Sequence, residues 1–260
     1  MISSTGSGRD PDHCSAAGSA RVSVIVPVWN SERYLDEALA SVVSQAGVET
    51  ELIVVDDGST DSSATLVRRV APRARYHRQD HAGIGAALNA GVALARGTHI
   101  AFLDADDVWT EHSLERRLRL FETMSGLDAV AGHVEQFHSP DLDPALARTI
   151  RCPSAPVPGF VMGALVVRKS VFLTTAFDPR IDAAQGVDWF VRAMDAGLRV
   201  CVLAEVVLRR RLHAANYSRR GIQREYLPQI LKASLDRRRD GVGRARAIPA
   251  PDIVASSPES

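Results

Sequence analysis

The N-terminal half of the chain alternates short, unbroken apolar blocks with longer stretches in which apolar residues recur every three or four positions. RVSVIVPVWN at 21–30 is a β-branched block closed by Pro27 and Asn30, and it predicts a buried strand running into a loop. SERYLDEALASVVSQ follows, with Ser31 as the candidate N-cap, acids in the first turn, and Leu35, Ala38, Leu39, Val42 and Val43 at helical spacing. ELIVVDDGSTD at 51–61 predicts a second buried strand ending on Asp56, Asp57 and Gly58. SSATLVRRVA then predicts a helix, ARYHRQD a weaker strand, GIGAALNAGVALARG a small-residue helix stopped by Gly97, and HIAFLDADD a strand again.

Strands that are apolar throughout, separated by helices, predict an α/β fold with a mostly parallel central sheet covered by helices on both faces. Right-handed crossovers put the C-terminal ends of such strands on one edge, and ligands bind in the crevice beyond those ends. Three polar clusters stand there, Pro27 to Asn30, Asp56 to Asp61 and Asp104 to Asp107, so they converge on one cleft. After residue 125 the pattern loosens. LDAVAGHVEQF predicts a strand, 139–160 is Pro-rich and irregular, and GALVVRKSVFLTTAFDPRID predicts a strand, a short helix and a turn. VDWFVRAMDAG is a helix closed by Gly197, RVCVLAEVVLRRRLH a strand, and 219–240 a basic, partly amphipathic helix interrupted near Pro228.

These elements divide the 260 residues into a disordered leader at 1–20, an α/β domain at 21–217, a basic helical extension at 218–242 and a disordered Ala/Pro/Ser-rich tail at 243–260. The formal net charge of zero gives no pointer to nucleic acid. Cys14, Cys152 and Cys201 are odd in number and far apart, neither a disulfide framework nor a zinc pattern, and fit reduced thiols in a cytoplasmic protein. No apolar run approaches the length of a spanning helix, and the leader lacks the apolar centre of a signal peptide. The basic helix could lie on an anionic membrane as a peripheral contact, or pack with a wet outer face.

The acids carry the candidate chemistry. Asp104 and Asp106 flank a small residue at a strand end, which places their side chains together. Two adjacent carboxylates repel one another and suit a hard divalent cation, Mg2+ or Mn2+, held against a phosphate. The alternative for Asp107 is to cap the next helix near Thr110. DDGS at 56–59 is by itself equally a plain turn. Gly83-Ile84-Gly85 lacks the third glycine of a dinucleotide fingerprint, so small residues there serve close packing of a helix on the sheet.

Taken together and in order, Pro27-Val28-Trp29-Asn30, Asp56-Asp57-Gly58-Ser59 with Asp61, Asn89 with Gly91, FLDADD after Gly97, and RRRLHAANYS at 209–218 resemble the large family of inverting nucleotide-sugar glycosyltransferases with the GT-A fold. The resemblance implies a nucleotide-sugar donor, first of all a UDP-sugar. It implies that Pro27, Trp29 and Asn30 line the nucleotide pocket, with Asn89 in the same donor-binding set, and that Asp57 reads the base. It further implies that Asp104 lies by the ribose and metal, that Asp106 coordinates the metal, and that His213 adds a metal or phosphate contact. Arg209 to Arg211 are candidates to stabilise charge on the departing phosphate, against the plainer reading of a solvated face. The acceptor is left open among a saccharide, a lipid-linked carrier, a peptide and a small metabolite.

One departure stands out. The family's acidic pair before the last helix, whose second member is the usual base, falls here on Gln185 and Gly186. Asp182 and Asp188 are the nearest acids and the candidate bases. In a helix Asp188 would face roughly 200° away from Gly186, and pairing with Arg192 at i, i+4 is its other role. A donor-binding protein with weak or no transfer is therefore the alternative, and a nucleotidyltransferase a more distant one, since PVWNSERY replaces the basic Gly-rich loop it would need.

Overall fold

The computed structural model describes residues 22–181, 184–216 and 223–239. The elements in chain order are β1 (Val22–Val28), α1 (Leu35–Val43), β2 (Thr50–Asp56), α2 (Ser63–Val70), β3 (Arg75–Arg78), α3 (Ile84–Leu94), β4 (His99–Phe102), β5 (Val108–Trp109), α4 (Ser113–Thr123) and β6 (Ala129–His138). They continue with α5 (Pro144–Ala147), β7 (Val157–Pro158), a 3-10 turn (Met162–Ala164), β8 (Val166–Arg168), α6 (Lys169–Thr174), α7 (Gln185–Asp195), β9 (Val200–Leu212) and α8 (Gln223–Arg239). The predicted leader at 1–20 and tail at 243–260 lie outside the described residues.

Among the described residues one sheet runs in the order β3-β2-β1-β4-β8-β6-β9-β5, with β7 pairing β6. The β3-β2-β1-β4 half is parallel, as expected, and β1 registers on β2 from Val22↔Thr50 to Val28↔Asp56. Beyond β4 the sheet is mixed. β8 is antiparallel to both β4 and β6, β9 is parallel to β6, and the two-residue β5 is antiparallel to β9.

The two faces sort by the period-two alternation of the strands. Val24, Val26 and Val54 pack with Leu35, Leu39, Leu114 and Leu118 on one face. Ile25, Ile53 and Phe102 pack with Leu88, Phe172 and Trp189 on the other. The small residues of α3 do bring that helix onto the sheet, since a Cβ on Gly91 would stand 2.4 Å from Ile25 Cγ2. Overpacking of this kind costs about 1–3 kcal/mol.

Ser31 does not cap α1 with its side chain. Its carbonyl accepts the amides of Tyr34 and Leu35, and the helix begins one turn later than its pattern suggested. Helix α8 packs on α7, and its Ile230 is buried. Asp195, at the end of α7, accepts from Ser234 Oγ, Arg237 Nε and Arg238 Nε at 2.9–3.0 Å. Burial pushes that carboxyl up, and these hydrogen bonds more than offset it, leaving its pKa below the ordinary value.

Candidate active site

Parallel pairing of β2, β1 and β4 brings three loops to one edge, where a cleft of about 870 Å³ opens. Pro27, Trp29, Asn30, Asp57, Asp104, Asp106 and His213, all named from sequence, line it. Asn30 holds the left-handed conformation at φ 47°, which Asn tolerates better than most residues. Its amide donates to Ser59 Oγ at 3.0 Å and its Oδ1 accepts from Thr60 N at 2.8 Å, so it clamps the β1 loop to the β2 loop. The turn leaves Trp29 43% exposed, its ring stacked on His81 with centroids 4.5 Å apart. This aromatic platform is suited to a planar ligand group. Trp29 was legible in the sequence, whereas its partner His81 was not.

At the end of β2 the two acids are saturated. Asp56 is fully buried, accepts from Ser59 N at 2.7 Å and from the Tyr76 hydroxyl, and lies 3.9 Å from Arg78. Asp57 Oδ1 accepts from Gln79 Nε2 at 2.7 Å and Ala82 N at 2.9 Å. Its Oδ2 accepts from Gly83 N at 2.8 Å and meets His81 Nδ1 at 2.8 Å. The acceptor positions of this carboxylate are thus taken up in holding the 79–83 loop. Gly83 fits that loop at φ 88°, where side chains are disfavoured.

The second acidic cluster differs. The strand ends at Phe102, and Asp104 to Asp107 form a turn closed by Asp107 N donating to Asp104 O at 3.1 Å. Carboxylate oxygens of Asp104, Asp106 and Asp107 all lie within 4.8 Å of one another. Asp104 opens to the cleft, yet the surrounding protein, and then the charge of Asp106, push its pKa up to about 6 against the pull of Arg210. Burial, then Asp106 and Asp104, raise Asp107 well above the carboxylate range. Asp107 does not cap the following helix, because its Oδ1 accepts Arg211 N at 2.9 Å.

Asp106 Oδ2 receives His213 Nε2 at 2.9 Å and Asn216 Nδ2 at 3.2 Å, both from the segment after β9. Asn216 also accepts the amide of His213 and donates to Arg211 O, which fixes the segment. Alternation along β9 sets Arg210 apart from Arg209 and Arg211, which both lie over the Phe137 ring. Arg209 pairs with Glu135, Arg211 is buried between Glu37 and the Tyr34 and Phe137 rings, and Arg210 lines the cleft. The cluster fits a hard divalent cation, because it gathers oxygen donors whose mutual repulsion a cation would relieve. Asp104 and Asp106 would hold it, with His213 at hand and Asp107 already engaged.

Pro179, Ile181 and, at the start of α7, Gln185 also line the cleft, and around them the sequence expectations need correction. Asn89 does not line the cleft. Its carboxamide donates to Phe177 O at 2.9 Å and accepts Phe177 N at 3.0 Å, fixing the segment that brings Pro179 and Ile181 to the cleft wall. Asp188 does not line it either. It is buried and bonded to both Nε (2.8 Å) and the terminal nitrogen (2.6 Å) of Arg192, which leaves it committed as a structural ion pair. Asp182 lies outside the described residues. Gln185 does reach the cleft, and its Oε1 is buried with no hydrogen-bond partner among the described residues. Tyr34, whose ring lies 4.8 Å from that of His213, is a cleft residue that the sequence did not single out, whereas Asn216, also in the cleft, stood within the 209–218 motif.

The family model for glycosyl transferase family 2 matches residues 23–159, just over half of the chain. The chain belongs to that family. An uncharacterized glycosyltransferase of Nostoc sp., alr2836, is 40% identical over 123 residues, covering 44% of this chain and 38% of the relative. The chain thus spans well under half the length of that curated relative. Among solved structures, S. aureus TarS in complex with UDP-GlcNAc superposes with a TM-score of 0.65 at 19% identity, over 81% of this chain and 65% of that one. The mannosyltransferase PcManGT of Pyrobaculum calidifontis, in complex with GDP-Man and Mn2+, gives 0.62 at 20% identity, over 85% of this chain and 65% of that one. Both share the GT-A fold of this family member. Among the described residues no helix is long and apolar enough to cross a membrane.

Proposed function

We propose that this family 2 protein transfers a sugar, with inversion, from a nucleotide diphosphate donor to an acceptor hydroxyl in a divalent-metal-dependent reaction, with a UDP-sugar as the first candidate donor. The observation that carries this reading is the convergence of Asp104, Asp106 and Asp107 on a cleft whose far side holds the Trp29–His81 stack. A cation bound by Asp104 and Asp106, Mg2+ or Mn2+, would supply electrostatic stabilisation for charge developing on the departing diphosphate. Arg210 adds positive charge at the same place. His213 and Asn216 hold Asp106 in position through its Oδ2. The Trp29–His81 platform orients the base, and Asp57 acts on it through the loop it organises as much as through any direct contact. The acceptor enters from the α7 side, and its class stays open among saccharide, lipid-linked carrier, peptide and small metabolite.

A second reading is a donor-binding protein with slow transfer. It is favoured by Gly186 at the position of the family's base and by the commitment of Asp188 to Arg192. General-base catalysis contributes roughly 10²–10⁴-fold, so its absence slows the reaction without abolishing it. Hydrolysis of a panel of nucleotide sugars with Mn2+ or Mg2+ tests the main reading, with turnover of one UDP-sugar expected and no turnover of any donor overturning it. Gly186→Asp, Asp182→Asn and Asp188→Asn separate the two readings. A Cβ at 186 would meet Met162 Cγ at 3.0 Å, which a flexible thioether can yield. A rise of about 100-fold in Gly186→Asp, with both Asn variants unchanged, identifies a chain without a working base. Loss of turnover in Asp182→Asn alone makes Asp182 the base, and Asp188→Asn is expected to leave turnover unaltered.

A further inference from the structure

The exposed face of the basic helix is partly apolar. Leu227, Leu231 and Leu235 recur at i, i+4 and i+8 on α8 and are 39%, 58% and 56% exposed. At 100° per residue they form one stripe that adjoins the packed face, where Ile230 and Ser234 are buried and Asp195 clamps the helix to α7. Arg238 falls about 20° from Leu231, Arg239 about 80° and Lys232 about 100°, whereas Asp236 lies about 140° away. The Arg238 side chain is 64% exposed even while its Nε bonds Asp195. Lys232 and Arg239 therefore flank the leucine stripe on one side and Arg238 stands within it, while this acid lies beyond Lys232.

We propose that this face of α8 docks on an anionic lipid bilayer, lying in the interface with the leucines inserted and Lys232, Arg238 and Arg239 at the headgroups. The charge pattern selects this occupant. Three exposed leucines and adjacent cations complement an anionic surface and give reversible binding. A second copy seated on the same face by two-fold symmetry would set like charges beside one another, with Asp236 turned about 140° from the centre of the stripe. The inference stands apart from the sugar-transfer reading and tests separately from it.

Flotation of the full chain with vesicles measures it directly, comparing phosphatidylcholine alone with equal parts phosphatidylcholine and phosphatidylglycerol. Binding is expected to the mixed vesicles and to be weak on phosphatidylcholine. Lys232→Gln with Arg239→Gln should weaken it about 30-fold, and Leu231→Glu with Leu235→Glu about 100-fold. All four side chains are exposed, so an unchanged urea midpoint checks that the fold is kept, and the glutamine pair decides the matter if the glutamate pair fails to fold. Absence of binding to the mixed vesicles overturns the proposal, as does binding that survives the leucine changes. So does a concentration-dependent dimer, seen by light scattering, that those changes dissociate while vesicle affinity is unaltered.

Discussion

Two strand ends in the cleft carry adjacent aspartates, and the chain treats them in opposite ways. At the end of β2, Asp56 and Asp57 are buried and their oxygens are occupied by backbone amides, the Tyr76 hydroxyl, Gln79 and His81. At the end of β4, three carboxylates share far fewer donors, and Asp104 and Asp107 are both pushed above the carboxylate range. A motif of acids after a strand is thus architecture in one place and an unrelieved cluster of negative charge in the other. The deciding property is what the neighbouring loops bring, 76–83 in the first case and 209–216 in the second.

The largest expected effect breaks the architectural half of this contrast. Asp57→Ala orphans the amides of Ala82 and Gly83 together with Gln79, and should cost about 3 kcal/mol in urea unfolding. Asp104→Asn, in metal-free buffer at neutral pH, should cost nothing and raise the midpoint, because it removes a charge that the surrounding protein first, and Asp106 second, disfavour. Equal losses in the two variants would erase the distinction between the two strand ends.

Much of the parallel half could be read from sequence, whereas the contrast between the two strand ends could not, and the limits have physical causes. Period-two and period-3.6 patterns placed β1 to β4 and their helices, because parallel strands buried on both faces leave unbroken apolar blocks. The mixed half was harder. β5 and β7 have two residues each, too short for any period, yet β5 is what pairs with β9 and carries Arg210 and His213 toward Asp106. Grouping Asp104 with Asp106 was possible from spacing, but a pairing such as Trp29 with His81 spans separate loops and leaves no local signal. Asn89 shows the converse. Its place in a motif is legible, whereas its grip on the Phe177 backbone is a long-range fact. For Asp188, the i, i+4 spacing to Arg192 did contain the answer that the structure gives.

A smaller effect sharpens the contrast through a third acid. Asp141 is held at about 2 by Ser139 Oγ, with Tyr34 and Arg33 adding to it against a desolvation that works the other way. A carboxyl whose folded pKa lies below the ordinary 3.8 stabilises the fold above that value and loses this contribution as pH falls toward 2. Asp141→Asn should therefore unfold at lower urea than the parent at neutral pH, and the gap should close between pH 4 and pH 2. The effect is small because the side chain is 43% exposed. A gap that persists at pH 2 would assign it to packing of the 139–142 turn instead of charge.

The central claim is that the Asp104–Asp107 turn is a divalent-cation site that holds a nucleotide diphosphate. Calorimetric titration of UDP into the protein with Mn2+ present, and again with EDTA, tests it most directly, with Asp106→Ala titrated alongside. The account predicts binding of UDP with Mn2+, loss of that binding with EDTA, and no Mn2+ dependence in Asp106→Ala while its metal-free unfolding midpoint does not fall. UDP affinity that is equal with Mn2+ and with EDTA in the parent protein would contradict it.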